Sequence, residues 1–455
     1  MINDIREELT VSPKITGGIV ISPDNIPKYR IYRESEKKLY IPRYFGVNKF
    51  GAAEDNRIQE GEDIDITFAG NLRPAQLEPV QAYLRAAHEV GGGLINLQCA
   101  AGKTVMTLYI ISQLKKKALV IVHKDFLLKQ WRERIETFLP GARVGIIKAK
   151  ELDYFDKDIV IASLQSLSMK DYDYAVFDSF GIVIVDEVHH IASEVFSRAL
   201  TKINFKYTLG LSATINRKDG LTRVFKWFLG DIVYKGKKRS DGEVDVRQIY
   251  YYSPAEEYSG EETLYNGKPN CSRMLNKVAE YKPRIDIIIK SILEIKERES
   301  ARNILILSGR RKQLSAFHKE LKNSGYSIGY YVGGMSQDEL KKTEDSCDII
   351  LGTYSMASEG MDIPKLDTVI FATPISSIEQ SAGRILRKKA EDREYTPLIV
   401  DIIDNFSIFR NQAKTREKYY KSRKYNIIKI GDVADDTGSS GEDTHSQSIC
   451  IIDTD

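Results

Sequence analysis

At 455 residues, 42% apolar and 29% charged, the chain is too long for one ordinary core and has the balance of a water-soluble globular protein of two or three domains. No run of 18 apolar residues is present, and the start, MINDIREELT, lacks a basic region followed by an apolar one, so neither a transmembrane span nor a signal peptide is expected. Net charge is only +3, yet residues 431–455 hold seven acids and no Lys or Arg, leaving +10 on residues 1–430, which suits a polyanionic partner as well as it suits a mixed solvated surface.

Residues 1–70 read as a small separate N-terminal domain. Tyrosines and short apolar runs alternate there with turn signals such as SPDN (22–25) and FGAAED (50–55), which favours short strands. From residue 71 the pattern becomes strand–helix alternation. GLINL (93–97), ALVIV (118–122), DIVIA (158–162), GIVIV (181–185) and YTLGL (207–211) are buried-strand candidates, and MTLYIISQL (106–114) has helical spacing. The polar stretch YKGKKRSDGE (234–243) reads as a linker. Alternation restarts with VRQIYYY (246–252), NILIL (303–307), DIILG (348–352), TVIFA (368–372) and TPLIV (396–400). These features predict an α/β chain with two tandem parallel-sheet domains, 71–235 and 236–430. The segment 411–424 is basic and helical in pattern, and the acidic tail 431–455 is expected to be disordered. The four cysteines (Cys99, Cys271, Cys347, Cys450) form no CxxC pair, so neither a zinc site nor a disulfide framework is expected, and an intracellular setting is.

Three segments carry chemistry. LQCAAGKT (97–104) follows a strand and opens a helix, where backbone N–H groups and the helix dipole can hold phosphate. Gly102 gives the turn, Lys103 would reach the β/γ-phosphates and Thr104 would ligate Mg2+. The first glycine of the usual loop is replaced by Leu97, and an ordinary strand–helix turn is the competing reading. GIVIVDEVHH (181–190) ends a buried strand on two carboxylates. Asp186 would hold Mg2+ through its water shell and Glu187 would orient and deprotonate water. A solvated acidic turn is the alternative. His189 and His190 lack a third metal ligand and read as positioning or coupling residues. SAGRILRKK (381–389) places Arg384 and Arg387 at i and i+3, where they can stabilise a transferring phosphoryl group or simply form a basic surface helix.

In this order and context the segments resemble a superfamily 2 helicase over roughly residues 71–420. The resemblance implies two RecA-like domains with ATP and Mg2+ bound between them, and movement 3′→5′ on nucleic acid. LRPAQ (72–76) resembles the adenine-recognition segment, which implicates Gln76 and Arg73. VHKDFLLKQW (122–131) and ASLQSL (162–167) resemble nucleic-acid contact motifs, with Lys124, Gln165 and Ser166 implied. LSAT (211–214) resembles the motif that couples the two sites, through Ser212 and Thr214. LILSGRRKQL (305–314) and GTYSMASEGMDIP (352–364) imply nucleic-acid contacts by Arg310 and Thr353, with Gly360 and Asp362 at the nucleotide edge. QSAGRILR (380–387) implies Gln380 near the γ-phosphate and Arg384 and Arg387 as arginine fingers. The form DEVHH with ATINRKDG (213–220) is most similar to the XPB-type branch and its relatives in large DNA viruses and phage. That branch has Arg-Glu-Asp where this chain has Arg217, Lys218 and Asp219, so Arg217 and Asp219 are expected to act in coupling. The expected partner is DNA, single-stranded or duplex, with RNA left open; transcription or recombination machinery, no membrane and a monomeric state are further expectations. A viral origin would put the chain in the infected-cell cytoplasm or nucleus, or in the virion. Competing readings are a duplex translocase or transcript-release motor without strand separation, and a non-catalytic nucleic-acid-binding module with a decayed ATP site.

Overall fold

The computed structural model describes residues 2–13, 28–98, 101–188, 193–213, 220–236, 241–265, 267, 269–359, 361, 363–388 and 390–431. The expected roles of His189, His190, Thr214, Arg217, Asp219, Gly360 and Asp362, and the acidic tail beyond Gly431, lie outside the described residues. The chain divides into two units, Met1–Lys238 and Arg239–Asp455.

Among its described residues the N-terminal stretch holds two short antiparallel pairs, β1 (Thr10–Val11) with β2 (Tyr29–Arg30) and β3 (Arg33–Glu34) with β4 (Leu39–Tyr40). It also forms the helices Ile2–Glu8 and Arg43–Phe50. Its own apolar cluster is small: Ile5, Leu9, Tyr32 and Phe45, with Trp227 packed against it. Polar anchors complete the attachment to the first unit. Arg43 donates to the carbonyls of Phe205 (3.0 Å) and Lys206 (2.9 Å), and the Tyr44 hydroxyl meets Thr208 Oγ1 at 2.8 Å.

Among the described residues the first unit has an eight-stranded sheet. Its strands are β5 (Gly92–Asn96), β6 (Ala118–Val122), β7 (Val144–Lys148), β8 (Glu151–Asp153), β9 (Ile159–Ser163), β10 (Ile182–Val185), β11 (Tyr207–Ser212) and β12 (Ile232–Lys235), in the order β12-β5-β11-β10-β6-β9-β7-β8. All neighbours are parallel except β7 and β8. Alternation along each strand feeds two cores. Leu119 and Ile121 enter one, while Ala118, Val120 and Val122 enter the other. A strand buried on both faces must be apolar at every position, which is why these runs are continuous. The strand order sets β5 and β10 on either side of β11, so Leu97, Asp186 and Ser212 emerge at one edge.

Among the described residues the second unit has a seven-stranded parallel sheet. Its strands are β13 (Asp245–Tyr251), β14 (Ile304–Ser308), β15 (Ile328–Tyr331), β16 (Ile349–Thr353), β17 (Thr368–Phe371), β18 (Leu398–Asp404) and β19 (Asn426–Ile430), in the order β15-β16-β14-β17-β18-β13-β19. Two apolar clusters cover its faces. Two buried ion pairs sit among them. Arg284 grips Asp404 through Nε (2.6 Å) and Nη2 (2.8 Å), and Arg416 grips Asp401 at 2.9 Å. The basic stretch at 411–424 is helical as far as Ser422, within the helix Ser407–Ser422. Arg416, however, faces inward, so part of its positive charge is internal and unavailable to a polyanion.

Candidate active site

The site is built on the turn after β5. The helix Pro74–Val90 opens with a capping box in which the Arg73 N–H donates to Gln76 Oε1 (2.8 Å). The rest of that amide faces the turn: Gln76 Nε2 donates to the carbonyls of Ala101 (3.2 Å) and Gly102 (3.4 Å), and Arg73 Nη2 donates to Ala101 (3.0 Å). Gly102 is required by its backbone conformation. Its φ is +81°, and a Cβ there would lie 2.3 Å from Gln76 Nε2. The helix Lys103–Leu114 starts immediately after it, so its N-terminus points out of the turn. Leu97, in place of the usual glycine, extends the sheet instead: its N–H donates to the Ser212 carbonyl at 2.9 Å. That bond ties the strand before the turn to Ser212, which is 2% exposed.

Lys103 is 9% exposed and its Nζ donates to Glu187 Oε1 at 2.9 Å. Asp186 is buried at the end of β10. Its Oδ1 accepts the Glu187 N–H (2.9 Å) and its Oδ2 accepts the indole N–H of Trp131 (2.9 Å). Burial, and then the neighbouring Glu187 charge, push the Asp186 carboxyl up to about 6, against the opposing pull of Lys103 and Trp131. Glu187 has φ of +47°, a conformation that costs a non-glycine residue about 1–3 kcal/mol and that clusters at functional sites. The donor set fits a hydrated divalent cation. A buried carboxyl carrying an unfavourable charge gains most from added positive charge beside it, and Thr104 supplies a half-buried hydroxyl at the start of the adjacent helix.

The residues expected to touch nucleic acid are placed differently from one another. Lys124 caps the helix Asp125–Phe138, and Gln165 is exposed on the helix Leu164–Met169. Ser166 is 8% exposed, and its Oγ accepts the Ala149 N–H (2.8 Å) at the β7–β8 turn, so it braces that hairpin.

In the second unit, Arg310 lies against the helix Cys271–Glu280, donating to the Ser272 carbonyl (3.0 Å) and hydroxyl (3.1 Å). Thr353 ends β16, with its hydroxyl 3.3 Å from that of Ser355. The 381–389 segment is less regular than its spacing predicts. A short helix, Glu379–Ala382, which carries Gln380, tightens into the 3-10 turn Gly383–Leu386. Arg384 and Arg387 still converge: both donate to the Met361 carbonyl (2.7 and 3.0 Å), and Arg384 also donates to Ala357. Arg384 is 7% exposed and braces the segment after β16.

Sequence reasoning missed Trp131 as part of the site. The signal was available in the spacing of Leu127, Leu128, Trp131 and Ile135, which marks a buried helix face on which an indole N–H must find an acceptor.

Residues 69–217 match the family described as type III restriction enzyme, res subunit, and residues 284–389 match the helicase conserved C-terminal domain. A protein of Acanthamoeba polyphaga mimivirus, named as an ATP-dependent RNA helicase, is 36% identical over 440 residues, covering 94% of this chain and 83% of that protein. The chain belongs to the superfamily 2 helicases. This helicase is also 27% identical over 359 residues to a protein of African swine fever virus named as an ATP-dependent RNA helicase, covering 74% of this chain and 69% of that one. A protein of Escherichia phage T5 named as a helicase is 27% identical over 343 residues, covering 74% of this chain and 73% of that one. In fold it is similar to S. cerevisiae Dbp5 bound to RNA and ADP BeF3, with a TM-score of 0.55 at 10% identity, over 79% of this chain and 94% of that one. Both parallel sheets are thus RecA-like, and the helicase is a nucleic-acid-dependent ATPase related to those of large DNA viruses.

Proposed function

We propose that this helicase hydrolyses ATP with Mg2+ to move 3′→5′ along DNA, as a member of the XPB-type branch. The observation that carries the ATPase chemistry is the chain of contacts from Lys103 through Glu187 to Asp186 beside the Gly102 turn. Lys103 would exchange its Glu187 partner for β/γ-phosphate oxygens. Glu187, so released, would take the proton of the attacking water, while Asp186 stays held by Trp131 and the Glu187 amide. Bound Mg2+, held by Thr104 and by Asp186 through its water shell, would neutralise charge on the phosphates. Arg73 and Gln76 would line the adenine side, and the second unit would contribute Gln380, Arg384 and Arg387. Exposed Gln165 and half-buried Lys124, Arg310 and Thr353 are suited to backbone phosphate rather than to base edges.

Arg387→Ala is expected to lower kcat by about 10^3-fold or more while the ATP dissociation constant changes only a few-fold, as measured by turnover and by nucleotide binding. Near-normal turnover would remove the second unit from the catalytic site.

A second reading, RNA as the track, is favoured by the names of the mimivirus and African swine fever virus relatives. Steady-state ATP hydrolysis without polymer and with single-stranded DNA, duplex DNA and RNA separates the two. Strong stimulation by DNA alone supports the first reading, and stimulation by RNA alone replaces it. Duplexes with a 3′ or a 5′ overhang then test direction.

A further inference from the structure

Trp131 lies on the helix Asp125–Phe138, in the last position of the segment that the family pattern assigns to nucleic-acid contact. It is instead 1% exposed and packed with Leu127, Leu128 and Ile135 in a core of the first unit. Its indole N–H, the side chain's one polar group, donates to Asp186 Oδ2 at 2.9 Å. The other Asp186 oxygen is held by the Glu187 N–H. Each carboxylate oxygen therefore has one fixed donor from the protein, and the carboxylate plane is set before any ligand arrives. The two donors arise differently. The Glu187 amide is a neighbour in sequence, whereas Trp131 reaches Asp186 across 55 positions through the packing of its helix on the sheet. At the start of that helix an exposed ion pair joins Asp125 to Lys148 of β7 at 3.0 Å.

We propose that Trp131 is a positioning residue for the ATPase reaction: its indole N–H fixes the Asp186 carboxylate in the orientation that receives the hydrated divalent cation. The inference rests on the ATPase reading of Asp186 and adds to it a residue that reading does not use. A buried aromatic could equally serve packing alone, and the two roles separate experimentally. Packing depends on the ring's shape, whereas positioning depends on one hydrogen-bond donor. Such outer partners of a metal-binding group typically alter metal affinity 10–100-fold when removed.

The test uses the full chain with Trp131→Phe, and with a benzothienyl analogue of tryptophan at position 131 that keeps the bicyclic shape but has sulfur in place of N–H. Mn2+ binding in the presence of a non-hydrolysable ATP analogue is followed by electron paramagnetic resonance, beside the Mg2+ dependence of ATP hydrolysis. Both substitutions are expected to weaken Mn2+ binding, and to raise the half-saturating Mg2+, by about tenfold. The thermal midpoint of the benzothienyl chain should stay that of the wild type. Wild-type cation affinity in the folded benzothienyl chain would overturn the proposal, even if Trp131→Phe is too unstable to use. A wild-type chain that binds no Mn2+ with nucleotide would overturn the ATPase reading of Asp186 as well.

Discussion

Glu187→Gln is expected to lower kcat for ATP hydrolysis by about 10^2–10^4-fold while ATP continues to bind. The side chains are nearly the same size, and the strained φ of +47° is no harder for Gln than for Glu, so the turn after β10 should persist. The amide, however, cannot accept a proton from water. The substitution also removes the carboxylate that holds Lys103 at 2.9 Å, leaving the ammonium readier for a phosphate. Affinity for ATP should therefore be unchanged or higher, in contrast to Lys103→Ala, which removes the phosphate contact itself. Turnover measured with the stimulating polymer, alongside fluorescent-nucleotide binding, separates the two effects. Normal turnover in Glu187→Gln would mean that the Lys103–Glu187 pair is structural and that the base lies elsewhere.

Asp404→Ala is expected to destabilise the second unit by about 3–5 kcal/mol, a large share of a domain's stability. Arg284 is 0% exposed and Asp404 1%. Truncating the acid leaves a buried guanidinium without its partner at Nε and Nη2, with the Ala372 carbonyl at Nη1 (2.7 Å) as its remaining acceptor among the described residues, and takes from the Tyr258 hydroxyl the nearer of its two acceptors (2.7 Å), leaving the Tyr251 carbonyl at 3.3 Å. Pairing Asp404→Leu with Arg284→Met should cost much less, because no charge is then stranded. An exposed pair such as Lys129–Glu133, 3.9 Å apart, should matter by well under about 1 kcal/mol when broken. Urea unfolding of the second unit's transition measures each. A loss below about 1 kcal/mol for Asp404→Ala would show that Arg284 finds another acceptor or reaches water.

Much of this helicase is legible in one dimension because its central strands are buried on both faces. Such strands have no polar side, so ALVIV, GIVIV and NILIL stand out as continuous apolar runs, and each is a strand. The turn and acid-pair residues stand out for the same reason, since each follows directly where such a run stops. The edge strands gave no comparable signal. β8, β12, β15 and β19, and β7 beside the edge, are partly exposed, and their mixed composition is also that of a loop. Residue type alone also does not show which polar groups the fold itself engages. Ser166 and Arg384 belong to motifs that suggest exposed, phosphate-seeking side chains, yet both bind backbone of their own unit. Arg416 lies in a basic helical stretch and is buried on Asp401. Local periodicity reports which face of an element is covered. Which buried donor meets which acceptor depends on chain segments brought together from far apart, as Trp131 meets Asp186 and Arg284 meets Asp404. The sequence by itself thus determined the two α/β sheets and the chemistry at the ends of their strands; only the tertiary structure decided the partners that hold those groups in place, because burial makes each polar atom take whichever partner the packing presents.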